Sequence, residues 1–264
     1  SVTSIGRGAF SGCSAMASVT IPDLVTTIGA YAFEYCDGLT SVTIPNSVTT
    51  IGTAAFQDSG LASVTIPASV TSIGSRNHPT AFAGCESLTS IVVEGANANY
   101  TSEDGVLFSK DKKTLITFPA AKSGHYTIPN SVTTIGDWAF LKCKSLTSVT
   151  IPDSVTGIEP RAFYGCSGLT SITIPDSVAG AIGDETFSGC SSLTSVTIGN
   201  GITSLYNKAF YGCSSLESIT IPDSVTYIGW RTFQGCTGLT SITIPNSITH
   251  IRGGDFDGCS SLTS

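Results

Sequence analysis

The chain has 264 residues, of which 41% are apolar and 12% charged, and its formal charge is −7. The charged share is about half the usual one, with Ser, Thr and Gly filling the gap. No Lys/Arg cluster exceeds Lys110 to Lys113, so the footprint of a nucleic-acid binder is missing and an anionic membrane surface would repel the chain.

Ser1 to Phe10 lack the charged and apolar regions of a signal peptide, and no apolar run reaches the roughly 18 to 20 residues needed to span a bilayer. From the first residues the chain instead repeats itself, as L-T-S-[V/I]-T-I-P-[D/N]-S-V-T-x-I-G-x-x-A-F-x-G-C-x-S with a period of about 23. Such a period with this leucine pattern predicts a solenoid.

Each unit reads in order as three sides. In L-T-S-V-T-I-P, Val42 and Ile44 alternate with Ser41 and Thr43, the period-two pattern of a strand with one face in a core and one in water. Pro45 ends that strand because it has no N–H to give, and the following Asp or Asn (Asp23, Asn46, Asp153, Asp223) suits an Asx-turn. S-V-T-x-I-G then predicts a second short extended segment with Val48 and Ile51 inward and a bend at Gly52, and A-F-x-G-C a tight or 3₁₀-like turn closing the rung.

Further along, residues 94–127 depart from the plain unit, carrying Asp104-Gly-Val-Leu-Phe108 and Leu115-Ile-Thr-Phe-Pro119, after which the regular array resumes. No segment holds a 3.6-residue period long enough for a stable helix. The expected fold is therefore a β-rich leucine-rich-repeat solenoid: a right-handed curved coil with a parallel sheet on its concave face, short turns or 3₁₀ on the other sides, and little α-helix. Residues 1–264 are expected to form a single array of about eleven rungs, on the order of 50 Å long at the strand spacing. Because the chain opens and stops inside a repeat, it is expected to be part of a longer array.

The array L-T-S-V-T-I-P-x-S-V-T-x-I-G-x-x-A-F-x-G-C resembles the BspA-type leucine-rich repeat family over essentially the whole chain, and residues 94–127 resemble a variant unit of that family. The resemblance implies a secreted or surface protein of bacteria or protozoa with roles such as adhesion. It transfers no residue-level site.

The residues that could carry chemistry read mostly as structure. All nine cysteines (Cys13, Cys36, Cys85, Cys143, Cys166, Cys190, Cys213, Cys236, Cys259) lie three residues after the Phe, the placement of buried free thiols. Some disulfides remain an alternative, while spacings of about 23 residues speak against zinc. His78, His125 and His250 lack partners at metal or catalytic spacing and read as solvated. No nucleophile elbow, metalloprotease motif, phosphate loop or calcium loop is present, so no catalytic, cofactor or metal residue is assigned and no cofactor is expected. Glu103 and Asp104 read as solvated turn residues. Asn99-Tyr100-Thr101 is the one N-x-[S/T] sequon, making Asn99 a candidate for N-glycosylation.

Two surfaces remain. The outward Ser/Thr columns, such as Ser41/Thr43, Ser148/Thr150, Ser171/Thr173, Ser218/Thr220 and Ser241/Thr243, read as strand propensity and solubility, or as a ligand face, O-glycosylation sites or an ice-binding array. The variable positions after the I-G step carry Tyr31, Trp138, Arg161, Lys208, Trp230 and Arg231, the types that make interface hot spots, or else side chains that only cover the core edge. The expected role is an extracellular or cell-surface recognition or adhesion scaffold for protein or carbohydrate ligands. A repeat segment of a fibre that self-associates through its ends is the alternative.

Overall fold

The computed structural model describes residues 1–74 and 80–264; His78 lies outside the described residues. The chain coils as a β-solenoid of about ten turns with no helix among the described residues. Its contacts divide it into two compact units, Ser1–Lys122 with Asp137–Phe140, and Ser123–Gly136 with Leu141–Ser264.

In the first unit Ser4–Ile5, Thr27–Ile28, Thr50–Ile51 and Ser72–Ile73 form a parallel sheet in which equivalent repeat positions pair, Ile5 with Ile28 and Ile28 with Ile51. On the preceding side Ser63–Ile66 pairs with Ser90–Val93, again in parallel. The variant unit breaks the pattern. Tyr100–Glu103, Val106–Ser109 and Thr114–Thr117 run antiparallel, and Asp104 and Gly105 turn the first hairpin at φ 48° and 75°, the left-handed pair that a two-residue hairpin demands. These residues build a local hairpin in place of a plain rung. Asn97 anchors the hairpin while fully buried: its amide donates to the carbonyls of Pro67 and Val70, and its Oδ1 accepts from the N–H groups of Asn99 and Tyr100. A buried amide costs little when its bonds are made.

In the second unit Gly124–Thr127, Leu146–Thr150, Ser171–Ile174, Ser195–Ile198, Ser218–Thr220 and Ser241–Thr243 form one parallel sheet, with Ser171 opposite Ser195 and Ile172 opposite Val196. Gly180–Ile182, Ile202–Leu205 and Tyr227–Ile228 form the next side. Along Ser171–Ile174 the exposures alternate as the period-two pattern requires, Ile172 and Ile174 buried and Ser171 and Thr173 exposed.

The turn side hydrogen-bonds in the opposite sense to the strand beside it. Gly29 N–H donates back to Ile5 of the previous rung, whereas the N–H groups of Tyr31, Phe33 and Tyr35 donate forward to Thr53, Ala55 and Gln57. The residues between them, Ala32 and Glu34, bond three residues back within the turn. The 3₁₀-like bonds are present, but they alternate with rung-to-rung bonds, so no continuous 3₁₀ segment forms among the described residues.

The Phe column fills the interior. Phe33 and Phe56 stack at 5.1 Å, and Phe187, Phe210 and Phe233 at 5.5 and 5.7 Å with nearly parallel rings. The rung repeat sets this spacing, and the excess over about 4.8 Å reflects offset rings, the arrangement their quadrupoles prefer. Six cysteines of the column donate S–H to the Phe carbonyl of the previous rung, among them Cys36 to Phe10 at 3.1 Å, and Cys213 to Phe187 and Cys236 to Phe210 at 3.2 Å. Ser59 stands in one rung where the others carry Cys, buried and 3.4 Å from Cys85 Sγ, so the position asks for a small side chain with one donor. All nine cysteines are free, but burial does not extend to all: Cys13 is exposed and Cys259 half-buried.

Candidate functional site

The hydroxyls sort into two sets. In one they tie rungs together: Thr49 and Thr226 donate to the carbonyls of Thr26 and Thr203, Ser47 and Ser224 to those of Val25 and Ile202 at 2.7 Å, and Thr194 to Thr170. Much of the Ser/Thr content is therefore structural. The other set stands outward on the strands. Ser195, Thr197, Ser218, Thr220, Ser241 and Thr243 are exposed and make no side-chain hydrogen bond to described residues. His125 breaks this open face in its own rung, with Nδ1 2.8 Å from Ser148 Oγ and Nε2 near the hydroxyls of Thr127 and Thr150.

An open groove lies over this face in each unit. That of the first unit encloses about 850 Å³ along Thr20, Thr43 and Thr65 with Asp23, Asn46 and Glu94; that of the second about 510 Å³ along Thr197, Thr220 and Thr243 with Asn200 and Asp223. Hydroxyls, amides and carboxylates line both together with Val, Ile and Pro side chains, and no aromatic ring is among the described lining residues.

The turn side carries a second surface, and the backbone explains it. The alternating bond pattern forces two residues per turn into the left-handed region, one two residues before the Phe and one two residues after it. The later position is glycine at Gly12, Gly84, Gly165, Gly189, Gly212, Gly235 and Gly258 and a larger residue only at Tyr35, Asp58 and Lys142. Glycine accepts this φ at no steric cost. The earlier position makes the same demand but carries Tyr31, Ala54, Trp138, Arg161, Glu185, Lys208 and Arg231, with glycine only at Gly8 and Gly254. Each non-glycine residue held there costs of order 1–2 kcal/mol. The chain accepts that cost at seven positions of the earlier column and at three of the later one.

Five of the six candidate contact residues, Tyr31, Trp138, Arg161, Lys208 and Arg231, occupy this strained column; Trp230 precedes Arg231 and is the most exposed of the six, at 43%. In the first unit Arg7 lies over the Tyr31 ring at 4.7 Å, and Trp138 is half-buried. In the second, Arg161 and Lys208 meet on Glu185, with Arg161 Nε 2.9 Å and Lys208 Nζ 3.3 Å from its two oxygens. Partial burial pushes the Glu185 carboxyl up, but the two cations outweigh it and hold the group below its ordinary range. Arg161 and Lys208 thus form a ladder within the protein. Arg231 is different, its guanidinium lying 3.8 Å over the Trp230 ring.

Sequence reasoning missed Tyr206, Tyr227, Arg252 and Asp255, which join this cluster. Tyr206 and Tyr227 meet edge-on at 5.8 Å, and Arg252 lies 4.7 Å over Tyr227. The signal was available for Glu185, a lone acid aligned between Arg161 and Lys208. It was not available for Tyr227, which belongs to the strand before the I-G step. Asn99 is exposed, its N–H bonded to buried Asn97. Among the described residues no three His, Cys, Asp or Glu side chains converge to hold a metal ion, and no helix is long and apolar enough to cross a membrane.

The family described as BspA type leucine rich repeat region, in six copies, matches residues 3–123, 117–181 and 158–264. A leucine-rich cell surface protein from Faecalibacterium prausnitzii is similar over 100% of this chain and 68% of its own, at 36% identity and a TM-score of 0.84. A leucine-rich repeat protein from Eubacterium ventriosum matches 99% of this chain and 75% of its own, at 29% identity and a TM-score of 0.87. The pneumococcal vaccine antigen PcpA is 28% identical over 92% of this chain and 54% of its own, with a TM-score of 0.64. No curated protein matches the chain.

Proposed function

Because this chain belongs to the BspA-type leucine-rich repeat family, we propose that it is a non-catalytic recognition scaffold, extracellular or on the cell surface, that binds macromolecular ligands through its repeat surface. The observation that carries this reading is the contrast between the two left-handed columns: the later one is glycine at seven positions and another residue at three, whereas the earlier one is glycine at two and keeps differing side chains, most of them large, at seven against the same backbone strain. A scaffold with only a structural task would use glycine in both. The interior repeats its residues because every rung must stack on the next, whereas the turn side varies, which is how a solenoid acquires specificity without changing its fold. The relatives' surface location supports the same placement for this chain.

The test is direct. The chain, immobilised, is exposed to extracellular matrix and plasma proteins and to a glycan array. Saturable binding to at least one, lost when the side chains at 138, 161, 208 and 231 are replaced by glycine in a protein that stays folded, is the expected result. Silence across both panels overturns the reading.

A further inference from the structure

Arg231 and Arg252 have no ion-pair partner among the described residues, whereas Arg161 and Lys208 of the same unit share Glu185. Each guanidinium instead lies on an aromatic ring, Arg231 on Trp230 at 3.8 Å and Arg252 on Tyr227 at 4.7 Å. Trp230 and Tyr206, which meets Tyr227 edge-on, are both 43% exposed. A stacked guanidinium keeps its in-plane N–H edge open, and the ring holds the plane in place, so little side-chain freedom is left to lose when a carboxylate arrives.

The backbone beneath is built for this placement. Asp255 is 1% exposed; its Oδ1 accepts the Arg231 N–H at 2.9 Å and its Oδ2 the Arg252 N–H at 2.7 Å. Neither oxygen is spent on a guanidinium. In the preceding rungs the residue before the Phe is Ala162, Thr186, Ala209 or Thr232, so the rung of Phe256 replaces a small side chain by a buried carboxylate that fixes the main chain of both arginines.

We infer that Tyr206, Tyr227, Trp230, Arg231 and Arg252 form a docking site for a protein segment bearing carboxylates beside apolar residues, with Asp255 as its positioning residue. This rests on the recognition reading above and names the partner chemistry. Charge complementarity gives the sign, since two unpaired cations stand out on a chain of formal charge −7. The aromatic area and arginines give the kind of partner, because Trp, Tyr and Arg dominate protein hot spots. A highly sulfated glycan fits less well: two guanidiniums cannot neutralise it, and the protein's net charge repels a long polyanion.

The experiment pans a random-peptide library against the full chain and measures the enriched peptides by fluorescence anisotropy, with heparin as a parallel probe. Enriched peptides should pair Asp or Glu with apolar residues and bind less tightly as salt rises. Arg231→Ala and Arg252→Ala should each weaken them by about tenfold or more. Arg231→Lys should weaken them nearly as much, because an ammonium loses the planar fork. Asp255→Asn tests the positioning role, and hydrogen–deuterium exchange at the N–H groups of 231 and 252 should rise with the loss of affinity. Peptides whose affinity ignores both arginine variants would overturn this site while leaving the recognition reading standing. Full retention in Arg231→Lys would mean point-charge attraction and would overturn it too, as would binding of heparin alone. Absence of any peptide ligand would overturn this site, and the recognition reading falls with it only when the matrix-protein and glycan panels are silent too.

Discussion

Replacing Phe210 by Ala tests the interior most sharply. The ring is fully buried, with Phe187 at 5.5 Å on one side and Phe233 at 5.7 Å on the other, so truncation empties a site walled by two rungs. Lost transfer of the side chain contributes about 1.5–3 kcal/mol. Two stacked pairs add about 0.5–1.5 kcal/mol each. Backbone bonds fix the rungs on either side, Phe210 N–H to Thr232 and Gly212 N–H to Gln234, so the walls collapse little and the net cost should reach about 3–5 kcal/mol. Urea unfolding followed by circular dichroism measures it, provided that a second probe, the fluorescence of Trp138 and Trp230, moves with the same midpoint, since repeat arrays can lose cooperativity. A loss below about 1 kcal/mol would mean that the column packs loosely and that the hydrogen bonds, not the rings, hold the rungs together.

Glycines should separate into two kinds. At Gly229 an added Cβ would lie 2.6 Å from Asn207 N and 2.7 Å from Tyr206 C of the rung below, so Gly229→Ala must push backbone apart and should lower the melting temperature far more than Gly212→Ala. At Gly212 the space is open, and the cost is the left-handed φ of 68° alone, about 1–2 kcal/mol; equal losses would refute the distinction. Thiol labelling at pH 8 should modify Cys13 quickly and leave the interior cysteines untouched until denaturant is added. Burial pushes Cys85 up to about 11 and Cys236 to about 12, so native protection should persist until the pH approaches those values. Because the raised values favour the neutral thiol in the fold, its contribution to stability is present at lower pH and is lost as pH rises through them. For Glu185 the sign is reversed: its carboxyl is held below the ordinary 4.5, so the ladder's contribution is complete above that value and lost as pH falls through the folded midpoint. A carboxyl titration followed by NMR that places the midpoint at or above 4.5 would contradict the ladder.

Periodicity alone determined the class of fold, because a rung cannot bury its apolar face by itself and identical units can satisfy one another only by stacking in register. Val42, Ile44, Val48 and Ile51 were readable as interior residues for the same reason: alternation and bend positions dictate which way each side chain points. Periodicity could not determine what happens where the pattern lapses, and residues 94–127 turned out to fold back as an antiparallel hairpin held by buried Asn97, through bonds to residues about thirty positions away. Nor could it sort one hydroxyl from another. Thr226 and Thr220 look alike in the chain, yet the first is bonded to the rung below and the second is open, a difference set by which way each faces a neighbouring carbonyl. The recognition surface shows the same division. The sequence pointed to Arg161, Lys208 and Arg231 as a set by their shared place after the I-G step. Only the stacked structure split them, giving the first two a common carboxylate and leaving the third on an indole ring, because residues one rung apart become neighbours at about 5 Å while lying about 23 apart in the chain.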